Sequence, residues 1–123
     1  MFEGREPIYV QIAQQIRGEI LAGSLLEEEQ VMSTTQYATT YRINPATAAK
    51  AFAELVDEGV LYKRRGVGMF VATGARDRLL DQHRQSFFAE VLDPALARAE
   101  LLGITPDELV QHITRNQTKR NDR

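Results

Sequence analysis

The fold is decided by a stretch in the middle of the chain that reads Asn44-Pro45-Ala46-Thr47-Ala48-Ala49-Lys50-Ala51-Phe52-Ala53-Glu54-Leu55-Val56. Asn44 is a typical helix cap, and Pro45 suits the first helical position. Apolar residues then recur at steps of three and four, at Ala48, Ala51, Phe52, Leu55 and Val56. This spacing predicts an amphipathic helix that buries one face and ends near Gly59.

The residues after this helix predict a β-hairpin. Residues 60–64 and 69–71 are short runs rich in β-branched and aromatic side chains. Between them lies Arg65-Gly66-Val67-Gly68, a glycine-rich tip. Two such runs around a tip of this composition are typical of a hairpin.

The residues before Asn44 predict two further helices. Ile8, Ile12, Ile16 and Ile20 form one apolar stripe, so a first helix is expected from Pro7 to Gly23. Glu27-Glu28-Glu29 is interpreted as a solvated connector rather than a metal site, with a short strand near residues 30–32. Ser33-x-x-Gln36 is a capping box that opens a second helix over about residues 33–41, and its inward side chains are Tyr37, Ala38 and Tyr41.

Residues 42–44 leave room only for a tight turn between the second and third helices. Two short helices joined in this way predict a helix-turn-helix, whose second helix can enter the DNA major groove, and the hairpin makes it winged. The expected fold is therefore mainly α with a small β-hairpin wing. The candidate DNA-binding residues are Arg42, Asn44, Thr47 and Lys50, the wing cations Lys63, Arg64 and Arg65, and the wing glycines Gly66 and Gly68.

The distribution of charge agrees with this surface better than the net charge does. The chain carries a formal charge of −2, but residues 40–72 carry five basic and three acidic side chains. Residues 1–39 carry two basic and six acidic side chains, so this half is expected to point away from DNA. Cations in a glycine-rich wing follow the negative potential of a DNA groove.

The C-terminal part predicts a helical dimerisation region over residues 74–123, after a DNA-binding domain over residues 1–73. Its expected interface consists of Leu80, Phe87, Phe88, Val91, Ala95 and Leu102. Pro94 predicts a kink or a break in the helix that contains them. Thr105-x-x-Glu108 is a capping box for a last helix that runs to about Asn116, and the polar tail 117–123 is expected to fray.

Composition argues against an enzyme. The chain of 123 residues has no cysteine, which excludes disulfides, thiolate zinc sites and a thiol nucleophile. His83 and His112 stand outside any catalytic motif and are interpreted as surface or dimer-face residues. Catalysis, a metal and a cofactor are therefore not expected. Without an apolar segment behind Met1 or a membrane-spanning run, a cytoplasmic location is expected.

The chain resembles the GntR family of bacterial transcription regulators. The resemblance covers about residues 7–72 and rests on Pro7-Ile8-Tyr9-x-Gln11-Ile12, on Asn44-Pro45-x-Thr47-x-x-Lys50-Ala51-Phe52, and on Gly66-x-Gly68-x-Phe70-Val71. The short helical tail is similar to the YtrA subfamily. The resemblance implies a homodimer that binds a palindromic operator, usually as a repressor, and it adds Ser33 and Thr35 to the DNA-binding candidates.

Departures from the family pattern leave alternatives open. Thr35 stands where many members have a DNA-contacting arginine, and Pro45 and Ala49 occupy two other positions often held by arginine. The leading hypothesis is a DNA-binding repressor. A protein-interaction module with weakened DNA binding is one alternative. A regulator that responds to a small-molecule effector, bound in a pocket between subunits, is another.

Overall fold

In a computed structural model, which describes residues 4–121, the chain forms six α-helices and, among these residues, one β-hairpin. The elements are α1 Ile8–Ala22, α2 Thr34–Tyr41, α3 Pro45–Asp57, β1 Leu61–Arg64, β2 Gly68–Val71, α4 Ala75–Phe87, α5 Asp93–Leu101 and α6 Pro106–Asn121. A π-helical turn, Phe88–Leu92, joins α4 to α5. The predicted fold class, mainly α with a small hairpin wing, is confirmed.

The helix boundaries follow from side chains that cap free backbone groups. The Ser33 hydroxyl accepts a hydrogen bond from the Gln36 amide at 3.0 Å, and the Gln36 side chain accepts one from the Ser33 amide at 3.1 Å. The Asn44 side chain accepts the Ala46 amide at 2.8 Å, and Pro45 opens α3. Pro7, expected inside the first helix, precedes it as the residue before α1.

The first compact unit extends to Gln82 and holds the main hydrophobic core. Its fully buried large side chains are Ile12, Ile20, Phe52, Leu55, Val60, Leu61, Val71 and Leu79. The sequence placed the division after residue 73. The unit continues beyond that point because Ala75 and Leu79, in the first turns of α4, are completely buried in the same core.

Two expected core positions lie closer to solvent than the helical pattern suggested. Val56 is 37% exposed, because only the first four apolar positions of α3 face the core, and Tyr41 is half-buried. Tyr37 and Ala38 are buried as expected. The strand expected near residues 30–32 is a single bridge between Gln30 and Phe70, which places this connector against the outer edge of the hairpin.

The second unit begins at His83 and contains the π-turn, α5 and α6. Pro94 lies in the first turn of α5, where its missing N–H costs little, and the wider π-turn directly before it accommodates the ring. The capping box of α6 is present, with the Thr105 hydroxyl accepting the Glu108 amide at 3.2 Å.

The predicted end of the last helix near Asn116 is wrong, because α6 continues to Asn121. Lys119 and Arg120 lie in its last turn, where cations complement the helix dipole. The Thr118 hydroxyl also donates to the Thr114 carbonyl at 3.1 Å, so this polar residue is accommodated within the helix. Residues 122 and 123 lie outside the described part.

Candidate nucleic-acid interface

The exposed side of α3 is small and polar at its N-terminal end. Ala46, Ala49 and Lys50 are exposed, and Thr47 is half-buried beside them. Arg42 precedes this helix as the C-cap of α2, in the left-handed conformation with φ 54°, and its side chain is exposed. A helix with small residues at its exposed end can approach the floor of the DNA major groove closely.

Lys50 does not extend freely from α3. Its ammonium lies over the ring of Tyr9 in α1, with the Nζ atom 4.0 Å from the ring centroid. Tyr9 itself is partly buried and packs against the core. This cation–π contact draws the Lys50 charge toward α1 and away from the outermost line of α3.

The two strands of the wing pair in a fixed register that sends its cations to opposite faces. Lys63 pairs with Met69, and both line an apolar groove of about 510 Å³ between α3 and the hairpin. Tyr62 pairs with Phe70 and Arg64 with Gly68, and side chains alternate along a strand, so Tyr62 and Arg64 lie on the other face. Lys63 is thus the strand cation that shares the α3 side of the wing.

Arg64 is held on the hairpin by three neighbours. Its guanidinium carbon lies 4.6 Å from the centre of the Phe70 ring and 5.9 Å from that of Tyr62, and its Nη2 atom is 3.9 Å from the carboxylate of Glu28. The Glu28 carboxylate also accepts hydrogen bonds from the hydroxyls of Thr73 and Tyr62. These two bonds, with a smaller contribution from Arg64, lower the pKa of Glu28.

The tip of the wing presents Arg65, which makes no ion pair or hydrogen bond with any residue between 4 and 121. The tip needs both of its glycines. Gly66 has φ 78° and Gly68 has φ 142°, conformations that residues with a Cβ atom rarely adopt. The Gln30 side-chain amide donates to the Val67 carbonyl at 3.1 Å, so the connector supports the tip directly.

The structure separates the remaining candidates by their local contacts. The Ser33 hydroxyl serves the cap of α2, whereas Thr35, in the first turn of α2, is exposed. Sequence reasoning missed Tyr9, Glu28 and Gln30 as parts of this surface. Tyr9 lies in the N-terminal motif Pro7-Ile8-Tyr9-x-Gln11-Ile12, and its place in that motif could have marked it as a candidate. Nothing local marked Glu28, because its partners are distant in sequence.

A second candidate surface lies in the C-terminal unit, where Ala99 is the one buried hydrophobic residue among residues 83–120. Large apolar side chains are instead exposed there: Phe87, Phe88, Val91, Leu96, Leu101, Leu102, Val110 and Ile113. Of the other expected interface residues, Ala95 is exposed and Leu80, in the first unit, is half-buried. The i, i+3 spacing of Val110 and Ile113 was a signal that sequence reasoning left unused.

Side-chain clusters suited to metal binding are absent from the part of the chain that the structure describes. Residues 4–121 contain no cluster of three or more histidine, cysteine or carboxylate side chains that could hold a metal ion. His83 and His112 are both exposed. Across the same residues, every helix is too short or too polar to cross a bilayer.

Comparison with known proteins identifies the class. The model of the gntR family of bacterial regulatory proteins matches residues 8–71, which comprise the helix-turn-helix and the wing. The chain belongs to this family of DNA-binding transcriptional regulators. The curated relatives that it matches are named as transcriptional regulators or repressors.

Individual relatives extend the match beyond the wing. The regulator YhcF of Bacillus subtilis is 30% identical and covers 91% of each chain, and the repressor YtrA of the same organism is 30% identical, covering 87% of this chain and 82% of its own. A GntR-family regulator from Bacteroides thetaiotaomicron, 29% identical, superposes with a TM-score of 0.75 over 93% of this chain and 99% of that one. The DNA-binding domain of AraR in complex with operator ORX1, 28% identical, matches 58% of this chain and 93% of its own with a TM-score of 0.55. The predicted resemblance to YtrA-type regulators is confirmed.

Proposed function

We propose that this chain is a transcriptional repressor that binds a palindromic operator as a homodimer, acting on the chromosome in the cytoplasm. Helix α3 would enter the major groove through Asn44 and Thr47, with Arg42 at its edge. The wing would reach the adjacent groove through Arg65, with Lys63 between the two elements. The carrying observation is that Lys63 of the wing and the small residues Ala49 and Ala53 of α3 line one groove. The same family fold, in the DNA-binding domain of AraR, is seen in complex with an operator.

The apolar surface of the second unit supports the homodimer. This unit buries little of its own apolar surface, and its exposed large apolar side chains outnumber those expected on a monomer that has no partner. The rings of Phe87 and Phe88 contact each other among them, with their centroids 5.8 Å apart. A second copy of the chain is the proposed occupant, because twofold dimers are the commonest assemblies and a palindromic site requires one. The interface would centre on Phe87, Phe88, Val91 and Leu102.

The DNA-binding proposal is tested with a duplex from the promoter region of the chain's own gene and an unrelated duplex of equal length. Fluorescence anisotropy across a salt series should show tighter binding to the promoter duplex, and affinity for both should fall as salt rises. Selection from a random DNA pool should then return a palindrome. Absence of binding to any duplex would reject this function and favour the protein-interaction alternative.

The dimer is tested by placing a charge in the proposed interface. Phe88→Glu combined with Leu102→Glu should convert the full chain from dimer to monomer in light scattering. Leu26→Glu is the matched control, because Leu26 is 61% exposed but lies in the first unit. A double variant that stays dimeric would place the interface elsewhere.

A further inference from the structure

Tyr9 and Lys50 are brought together by packing between α1 and α3. The ring of Tyr9 is partly buried against the core, so its orientation is restrained, whereas the Lys50 side chain is exposed. The ammonium lies 4.0 Å from the ring centroid, inside the distance at which a cation is attracted to an aromatic face. The flexible, solvent-exposed Lys50 side chain is thereby held over an aromatic ring whose orientation is restrained.

Such a contact has a direct consequence for binding. A free lysine loses rotamer freedom when it meets a ligand, and this loss costs about 0.5–1.5 kcal/mol for each long side chain that is immobilised, or about twofold to tenfold in affinity. A lysine already restrained by a ring loses less. Because Lys50 remains exposed, its ammonium can still donate to an oxygen on the side away from the ring.

The direction of the contact favours one kind of DNA group. Base edges lie on the floor of the major groove, in line with the outermost residues of α3, whereas phosphates line its walls. The Tyr9 ring draws the Lys50 charge sideways toward α1, hence toward a wall. The small residues Ala46, Thr47 and Ala49 at the exposed end of α3 remain opposite the floor.

We propose that Tyr9 is a positioning residue for DNA binding, whose ring holds the Lys50 ammonium in place for contact with a backbone phosphate rather than with a base. The proposal rests on the proposed function, since it requires α3 to lie in the major groove. It assigns to this contact a contribution to affinity that is independent of DNA sequence.

The test compares the full-length wild type with Tyr9→Leu, Tyr9→Phe, Lys50→Met and the Tyr9→Leu/Lys50→Met double variant. Each is titrated against the promoter duplex and the unrelated duplex across a salt series. Lys50→Met should lower the slope of log K against log salt by about 0.9 per subunit on both duplexes. Tyr9→Leu should weaken binding to both by about twofold to tenfold per subunit. Tyr9→Phe, which keeps the ring, should match the wild type.

The double variant separates positioning from a structural role. Once Lys50 is absent, Tyr9→Leu should have no further effect on affinity; an equal loss in both backgrounds would show that Tyr9 acts only through the fold. A base preference lost at one position in Lys50→Met would overturn the phosphate contact. If the wild type binds both duplexes and Lys50→Met leaves binding unchanged, this proposal fails while the proposed function stands. If the wild type binds neither duplex, both this proposal and the proposed function are rejected.

A measurement on the free protein keeps the proposal testable even if Tyr9→Leu does not fold. The aromatic ring current should shift the ε-methylene proton resonances of Lys50 upfield in the wild type and in Tyr9→Phe. Unshifted resonances in the folded wild type would show that the ring does not hold the side chain, and would overturn the proposal directly.

Discussion

The two adjacent arginines of the wing should respond differently to substitution. Arg65, at the tip, has no partner among residues 4–121, so its charge is available to DNA. Arg64 lies on Phe70 and faces Glu28, so a nearby carboxylate opposes its charge. We expect Arg65→Ala to remove a phosphate contact and Arg64→Ala chiefly to loosen the hairpin.

The size of the effect follows from counterion release. Each lost phosphate contact lowers the slope of log K against log salt by about 0.9, so Arg65→Ala in a dimer should lower it by about 1.8. Raising the salt from about 50 to 200 mM weakens binding of both proteins. The fold-loss in affinity should be about tenfold smaller for Arg65→Ala than for the wild type. Arg64→Ala should change the slope by less than half as much.

Fluorescence anisotropy across the salt series measures the slopes for both variants. Thermal unfolding without DNA measures how far each substitution destabilises the hairpin. Arg64→Lys is the matched control, because it keeps the charge but replaces the planar guanidinium that lies on the ring. The reasoning is refuted if Arg64→Ala lowers the slope as much as expected for Arg65→Ala, or if Arg65→Ala leaves it unchanged.

Three further predictions concern the folded unit. Leu55→Ala, at a side chain with no exposure, should lower the free energy of unfolding in urea by about 2–5 kcal/mol, against less than about 0.5 kcal/mol for the exposed Leu26→Ala. Arg42→Gly should raise the free energy of unfolding by up to about 1 kcal/mol, because a φ of 54° strains any L-residue. The same variant should bind DNA more weakly, since it loses the arginine charge. An unchanged affinity would show that Arg42 does not contact the DNA. Hydrogen bonds from Thr73 and Tyr62 lower the pKa of Glu28, so its ionised form stabilises the fold above the ordinary glutamate pKa, and this contribution is lost as the pH falls through the lowered value. Glu28→Gln should flatten the acid side of a series of thermal melts, and an unaltered series would contradict this.

Much of the architecture was predictable because its signals are local. The caps at Ser33, Asn44 and Thr105 depend on side chains that bond to amides two or three residues away, and all three are present. The burial of α3 follows from its own periodicity up to Leu55. Val56 breaks the pattern, since how wide a helical face is buried depends on the elements packed against it.

The geometry of the candidate site was harder to predict from the sequence, because its key contacts join residues that are distant in the chain. Glu28 looked like one member of a solvated acidic run, yet it accepts hydrogen bonds from Tyr62 and Thr73. Arg64 and Arg65 are equivalent by composition, and only strand register distinguishes them. Such contacts have no signature at fixed sequence spacing.

The sequence by itself therefore determined the order of helices and strands, the helix-turn-helix and the family, because caps, turns and apolar periods act within a few residues. Only the tertiary structure decided which cations are free to meet DNA. Packing α1 against α3 places the Tyr9 ring under Lys50, and packing the connector against the hairpin places Glu28 beside Arg64. The physical reason is that the availability of a charge depends on its neighbours in space, and those neighbours are set by burial of the shared core.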